Sequence, residues 1–280
     1  ISRYPAVSHT FILREISLLR RLGHTIYTAS VNPPDRDRSA MDPTERAEAE
    51  QTYCLKEHGV LGGLGALLFW LVQAPVGLLQ CLRLSLRFGL LRGLAYTTEA
   101  AMVARWMDHR GLEHLHVHFG NAGASVGMLV KTLSGCHLSY TIHGPDEFDD
   151  VQGQQLGLKM QMADQVICIS QFARSQLMRL SDPVHWPKIQ VIRLGVDLSV
   201  FSPAVANTTA SSTTLVCVGR LTPAKGQVLL IQACAALRDG NIPFHLNIIG
   251  DGPDRKRVEA AIAQHRLGSH VTLHGSMGQA

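Results

Sequence analysis

Leu215-Val216-Cys217-Val218-Gly219-Arg220-Leu221-Thr222-Pro223-Ala224-Lys225-Gly226-Gln227 passes from an apolar run through a turn-forming segment into a helical pattern. The first four residues suit a strand of a parallel sheet, and from Gln227 to Leu237 the apolar positions recur at helical spacing. The segment between them therefore lies at the carboxyl edge of a sheet, where open α/β folds receive ligands. Gly219 opens the turn, and Arg220 and Lys225 converge on it. A guanidinium grips phosphate oxygens as a fork and an ammonium adds a point charge. The first-turn amides of the following helix aim partial positive charge at the same spot. Two solvated surface cations are the alternative reading; the strand-to-helix placement favours a diphosphate grip.

Outward from this turn the alternation continues. A strand from Phe244 to Ile249, a helix from Asp254 to Gln264 and a strand from Val271 to Leu273 are expected. Gly250-Asp251-Gly252-Pro253 closes the middle strand, and its glycines permit a tight turn with backbone close to a ligand; alone, the tetrapeptide fits any strand-to-helix turn. Upstream, residues 202–214 are small and polar without hydrophobic period, which reads as a linker. Before it, strands are expected at His24–Val31, His114–Phe119, Leu138–His143, Gln165–Ser170 and Lys188–Leu194, with helices at Ala122–Leu133 and Phe172–Leu180. Ser8 is placed to cap an opening helix that Gly23 ends, and Asp42-Pro43 starts another. Strand-helix-strand repetition means parallel sheets with helices on both faces. The fold class is α/β with two Rossmann-like domains facing each other across a cleft. Residues 1–201 form the first, 202–214 the linker, and 215–280 the opening half of a second, truncated domain.

Composition excludes several function classes. Apolar residues make up 46% and charged ones 17% of 280, against roughly 25% charged in ordinary domains, so the chain is not disordered. A net charge of +4 is far from the dense basic field of a nucleic-acid binder. Cysteines at 54, 81, 136, 168, 217 and 234 lack Cys-x-x-Cys spacing and read as buried free thiols of a reducing compartment. The chain starts at Ile1 without a visible signal peptide and stops at Ala280, so a fragment open at both ends is expected.

The apolar surplus sits in an insert at about 55–110. His58 to Leu82 contains no Asp, Glu, Lys or Arg, longer than the ~18-residue threshold for a spanning candidate, yet glycines and Pro75 interrupt it. It leads into Arg83-Leu84-Ser85-Leu86-Arg87-Phe88-Gly89-Leu90-Leu91-Arg92, where arginines recur among leucines. Such a segment suits the headgroup plane of an anionic membrane; ordinary buried helices are the second reading and a true span the third.

Histidines mark the carboxyl ends of the first domain's strands. In Thr141-Ile142-His143-Gly144-Pro145-Asp146, at a strand's carboxyl end, Gly144 lets the chain turn so that His143 can point into the expected cleft. There it can donate to a phosphate or sugar hydroxyl or exchange a proton, unless it is a satisfied structural side chain. His114, His116 and His118 share one face of a strand. The outer pair lies about 14 Å apart, too far to close a metal site without another element, so no metal is expected. His118, nearest the carboxyl edge, is the one of interest.

These motifs occur in a recognisable order. Tyr4-Pro5-x-x-Ser8-x-Thr10-Phe11-Ile12-x-x-Glu15, His116-x-His118-Phe119, Thr141-x-His143-Gly144-x-Asp146, Ile169-Ser170, Gly195-Val196-Asp197-x-x-x-Phe201, Gly219-Arg220-Leu221-x-x-x-Lys225-Gly226 and Gly250-Asp251-Gly252-Pro253 succeed one another. In this the chain resembles the group 1, retaining glycosyltransferases of the two-Rossmann (GT-B) class, most of all their colanic-acid and exopolysaccharide branch.

The resemblance implies roles residue by residue. Arg220 and Lys225 would hold the diphosphate of a nucleotide-sugar donor. His143 would be catalytic, contacting the transferred sugar or its leaving phosphate. Gly219, Gly250, Asp251, Gly252, Gly275 and Met277 would belong to the donor loops, and Thr10, His118 and Asp146 to the acceptor side. No cofactor is implied. The acceptor would be lipid-linked or saccharide, the location cytoplasmic and peripheral to the membrane, and transfer would proceed with retention through an oxocarbenium-like state. The chain departs from the family in carrying Arg193-Leu194 where Pro-Asn is usual. The family's two donor-site glutamates would fall after Ala280, which makes these residues alone an inactive piece of an enzyme. A sugar-nucleotide 2-epimerase and a non-catalytic membrane-associated binding protein are the competing readings.

Overall fold

A computed structural model describes residues 1–196, 198 and 213–277, apart from the side chains of Pro145 and Asp146. The chain divides into two compact units, Ile1–Val196 and Asp197–Ala280. Most of the expected linker, 202–212, lies outside the described residues, as do Asp197 and Phe201; Thr213 and Thr214 already belong to a strand.

In the first unit, α1 (Thr10–Arg21) precedes β1 (Ala29–Ser30), α2 (Pro43–Gln51) and β2 (Tyr53–Cys54). The insert forms α3 (Gly59–Gln73), α4 (Pro75–Ser85) and α5 (Leu90–Asp108). The remainder alternates β3 (His114–His118), α6 (Ala122–Ser134), β4 (His137–Ile142), α7 (Leu156–Met162), β5 (Gln165–Cys168), α8 (Gln171–Arg179) and β6 (Ile189–Val191). β3 to β6 pair in chain order, all parallel, so α6 to α8 are crossovers and the strand ends share one edge.

Two local expectations change. Ser8 does not cap α1: it lies in a 3-10 turn, Val7–His9, and the helix starts at Thr10 with no side-chain cap. The turn itself takes up the His9 amide, which bonds to the Ala6 carbonyl. The strand expected at His24–Val31 shrinks to Ala29–Ser30. A ladder needs a neighbour, and most of this segment faces an apolar cavity of about 600 Å³ with β3 on its other side. Asp42 does cap α2, within a capping box with Glu45.

The insert is two-sided. Ala66, Trp70, Cys81, Ala100, Ala101, Ala104 and Met107 join Val126, Leu129 and Val130 of α6 in one core, and Trp70 Nε1 donates to the Ala101 carbonyl at 3.0 Å. On the other side Leu61 and Leu91 are each 83% exposed, with Val60, Leu68, Val72, Val76, Leu86 and Leu90 beside them in exposure. Arg83, Arg87 and Arg92 are exposed too. Leu55–Gln73 is long and apolar enough to cross a membrane by length and composition.

The second unit contains β7 (Thr213–Val218), α9 (Gln227–Asp239), β8 (Phe244–Ile249), α10 (Arg255–Gln264) and β9 (Val271–Gly275), the strands parallel in that order. Phe244, Leu246 and Ile248 alternate inward on β8 and share a core with Ile231, Cys234 and Ala235 of α9 and Val258 and Ala261 of α10. Both helices thus cover one face, and the expectation of helices on both faces is not met here among the described residues; Val216 and Val218 are 61% and 73% exposed. All six cysteines are free and five are buried; burial pushes the Cys81 thiol up to about 11 and Cys168 up to about 12.

Candidate functional site

The first unit gathers its polar chemistry where β3 and β4 end. Parallel register sets His116 beside Ser139 and His118 beside Thr141. Ser139 Oγ lies 2.7 Å from both His114 Nε2 and His116 Nδ1, and Thr141 Oγ1 lies 2.9 Å from His116 Nε2. His116 is therefore satisfied within the sheet. His118, 5% exposed, places Nδ1 3.0 Å from His143 Nε2, with the rings stacked at 5.2 Å. The Nδ1 atom of His143 is buried without a hydrogen-bond partner among the described residues.

Aromatic rings surround this pair. Phe11 and Phe119 lie 4.9 and 4.7 Å from the His143 ring, and His9 lies 5.2 Å from Phe119. Burial, then the charge of His9, lowers His143 to about 4; burial, then His114 and His143, lowers His116 to about 4 as well. Burial, then His116 and His143, depresses His118 too. Both members of the stacked pair are neutral at physiological pH, so one N–H lies between the two facing nitrogens.

The residues expected on the acceptor side divide. His118 joins His143. Thr10 is half-buried in the first turn of α1, and its neighbours His9 and Phe11 make the ring contacts. Asp146 falls in the turn Pro145–Phe148, and its side chain lies outside the described residues. The question of a metal turns on whether another element joins the histidines. A further element does approach the histidines: Glu15 of α1 brings its carboxylate so that ligand atoms of Glu15, His116 and His118 lie within 4.8 Å of one another. His116, however, has both nitrogens engaged by hydroxyls.

Four residues to which the sequence assigns no role join the site: His9, Phe119, Glu147 and Lys159. Glu147, nearly buried, accepts from the amides of His143 (2.6 Å), Gly144 (2.8 Å) and Gly120. Lys159, 1% exposed, donates to the carbonyls of Gly120 (2.7 Å) and Asn121 (2.9 Å). Phe119 has φ +70, a left-handed conformation that turns its side chain out of the strand's alternation. The available signal was local: an acid four positions after His143 and an aromatic directly after His118.

In the second unit the turn after β7 is pinned from beneath. Leu221 is buried; its amide bonds to the Asp251 carbonyl, and its own carbonyl accepts from the Asp254 amide. Gln227 Nε2 donates to the Arg220 carbonyl at 3.2 Å, and Gly226 at φ +69 admits the chain to α9. Either side of this anchor, Arg220 and Lys225 are exposed, and neither pairs with a carboxylate among the described residues.

The turn after β8 reads differently from expectation. A Cβ on Gly250 would strike the Gly219 carbonyl, and one on Gly252 the Leu221 carbonyl, so what approaches these glycines is the neighbouring loop's backbone. The Asp251 carboxylate is 3.3 Å from Arg255 and also accepts from the Gly252 amide. Gly275 accepts from the Gly250 amide at 2.8 Å, joining the ends of β8 and β9, and Met277 is 63% exposed.

A family model described as Glycosyltransferase Family 4 matches residues 9–200, and one described as Glycosyl transferases group 1 matches residues 203–280. The chain belongs to these glycosyltransferases. Its curated relatives include the putative colanic acid biosynthesis glycosyltransferase WcaL of Escherichia coli (strain K12), 26% identical over 98% of this chain and 68% of that protein. The amylovoran biosynthesis glycosyltransferase AmsK of Erwinia amylovora is 25% identical over 98% and 68%. The chain thus spans about two thirds of the length of these relatives. Among solved structures, a glycosyltransferase from Rickettsia africae ESF-5 aligns with a TM-score of 0.59 at 16% identity, covering 99% of this glycosyltransferase and 67% of that chain, a likeness of fold.

Proposed function

We propose that the protein transfers a sugar from a nucleoside-diphosphate sugar to a saccharide or lipid-linked acceptor in the assembly of a cell-surface polysaccharide, with retention at the anomeric carbon. Family membership supplies the reaction class. One observation carries the donor half: a strand-to-helix turn with a buried anchor, Leu221, flanked by two cations that no carboxylate neutralises. Such a turn can neutralise a diphosphate as it leaves, with the first-turn amides of α9 contributing. In the first unit, the aromatic rings around His143 offer stacking surface for a sugar's C–H face, and the neutral imidazole offers a hydrogen bond to the transferred sugar or its leaving phosphate. The names of WcaL and AmsK support an exopolysaccharide product.

The acceptor's setting follows from the insert. Exposed leucines and valines together with Arg83, Arg87 and Arg92 suit the headgroup region of an anionic membrane at its cytoplasmic face. Full-length protein is expected to co-sediment with anionic vesicles and to be released several-fold by added salt; equal partitioning to neutral vesicles would remove the membrane from the proposal. Transfer itself is tested by incubating full-length protein with nucleoside-diphosphate sugars and a membrane-extract acceptor. Nucleoside diphosphate and sugar-labelled acceptor should appear in equal amounts. Sugar inverted at C2, with no labelled acceptor, would replace transfer by epimerisation.

A further inference from the structure

The loops after β3 and β4 hold the two stacked imidazoles, yet strand ends of a parallel sheet leave their last amides without a ladder partner. Three of those amides, from Gly120, His143 and Gly144, converge on one carboxylate, that of Glu147. Lys159, reaching up from α7, takes the carbonyls of Gly120 and Asn121. Both backbone polar groups of Gly120, its N–H and its C=O, are thereby captured by side chains of opposite charge. There is no slack at this point: a Cβ on Gly120 would lie 2.9 Å from Leu156 Cδ1 and 3.2 Å from both Ile142 Cδ1 and Glu147 Oε1.

We infer that Glu147 is the positioning residue of the site, with Lys159 holding the Gly120 carbonyl from the other side: it ties the β3 and β4 loops together and so sets the His118–His143 stack and the left-handed Phe119 beside it. This rests on the reading that His143 works on the donor sugar. The carboxylate itself is committed to backbone amides on both oxygens, which makes it a clamp rather than a group that meets substrate. A carboxylate suits this place because it only accepts, and can serve several N–H donors at once. An amide at the same position must turn one donor group toward an amide N–H. A bare lysine beneath would lose the charge that helps hold its ammonium: burial lowers Lys159 to about 7, and Glu147 opposes that shift.

The test uses full-length protein with ¹⁵N-labelled histidine. Glu147→Gln should lower kcat by about 100-fold, the scale for displacing a reacting group by roughly an ångström. It should also shift the imidazole signals of His118 and His143 while donor affinity stays unchanged. Wild-type kcat together with unmoved imidazole signals in a folded Glu147→Gln protein overturns the proposal. Should that variant fail to fold, Lys159→Gln is read in its place. It removes the charge on a side chain one bond shorter, and unmoved signals there overturn the part of the clamp assigned to Lys159. The Glu147 part is then read from Glu147→Asp, whose unmoved signals and wild-type kcat overturn it. A kcat loss that Glu147→Asp partly restores, with the signals moving back, supports it. The two layers fail separately: full turnover in His143→Ala defeats the catalytic reading, and the imidazole signals of Glu147→Gln still report whether the clamp exists.

Discussion

His143 is half-buried, stacked on His118, ringed by Phe11 and Phe119 and kept neutral by its surroundings. Arg220 and Lys225 stand exposed at the end of β7 with no carboxylate against them among the described residues. Each arrangement suits a different duty. A group that must exchange or share a proton benefits from fixed geometry and a shifted affinity for that proton. A pair of cations that must receive an anion gains from having no standing partner to displace, since every internal ion pair would have to be broken first. Rigidity in the second case is delegated to Leu221, which is buried while the charges on either side of it are not.

The comparison breaks if the two sites do not separate in kinetics. His143→Ala in full-length protein should lower turnover by about 10²- to 10⁴-fold, the span of general acid–base contributions, with donor affinity nearly unchanged. Arg220→Ala should do the reverse in emphasis. It should weaken nucleoside-diphosphate binding by about 1–3 kcal/mol, the scale of a charge-assisted hydrogen bond, with a smaller effect on kcat at saturating donor. Steady-state kinetics and titration calorimetry on the same two proteins decide it. If His143→Ala loses affinity and keeps turnover, the roles are exchanged; if Arg220→Ala binds as well as wild type, the turn after β7 holds no diphosphate.

How far the sequence carries this contrast differs between the two sites. The β7 turn was legible because strand, breaker and helix occur within one short stretch, and local periodicity reports all three. The histidine site was legible only in part. His118 and His143 stand at strand ends that alternation identifies, but His9, Phe119, Glu147 and Lys159 come from separate elements that only tertiary packing brings together. Thr10 illustrates the limit: it lies in the first turn of α1, and its neighbours His9 and Phe11 make the ring contacts. His24–Val31 carries β-forming residues, yet the strand is only Ala29–Ser30, with Thr28 and Val31 adding single backbone bonds beside it, because β-propensity describes fit to a sheet and not the presence of a neighbour. Gly250 and Gly252 announce a close approach without saying of what, and the approaching group is the Gly219–Leu221 backbone. The insert's apolar pattern held two meanings at once, one side packed on α6 and the other exposed.

The smallest expected effect concerns protons. His143 and His116 are each lowered to about 4 from an ordinary 6.5, chiefly by burial, and His118 is lowered as well. A folded-state value below the unfolded one means that the unfolded chain binds more protons between about pH 6.5 and 4. Their stabilising share is therefore complete above pH 6.5 and is lost as pH falls toward 4, by of order 1–2 kcal/mol for His143 once its partial exposure is allowed for. Glu99 acts in the opposite sense: burial raises it from 4.5 to about 7, so its share is lost as pH rises between those two values, an interval that largely overlaps that of the histidines. The bare slope of stability against pH mixes the two, and a variant is needed to separate them. His143→Asn removes one imidazole and leaves Glu99 in place. Urea unfolding at pH 7.5 and pH 5 should show a smaller drop for His143→Asn than for wild type. Parallel drops would mean that the imidazole takes up its proton as freely in the folded protein as in the unfolded one, and the difference between the closed cluster and the open turn would then be one of shape without the electrostatics.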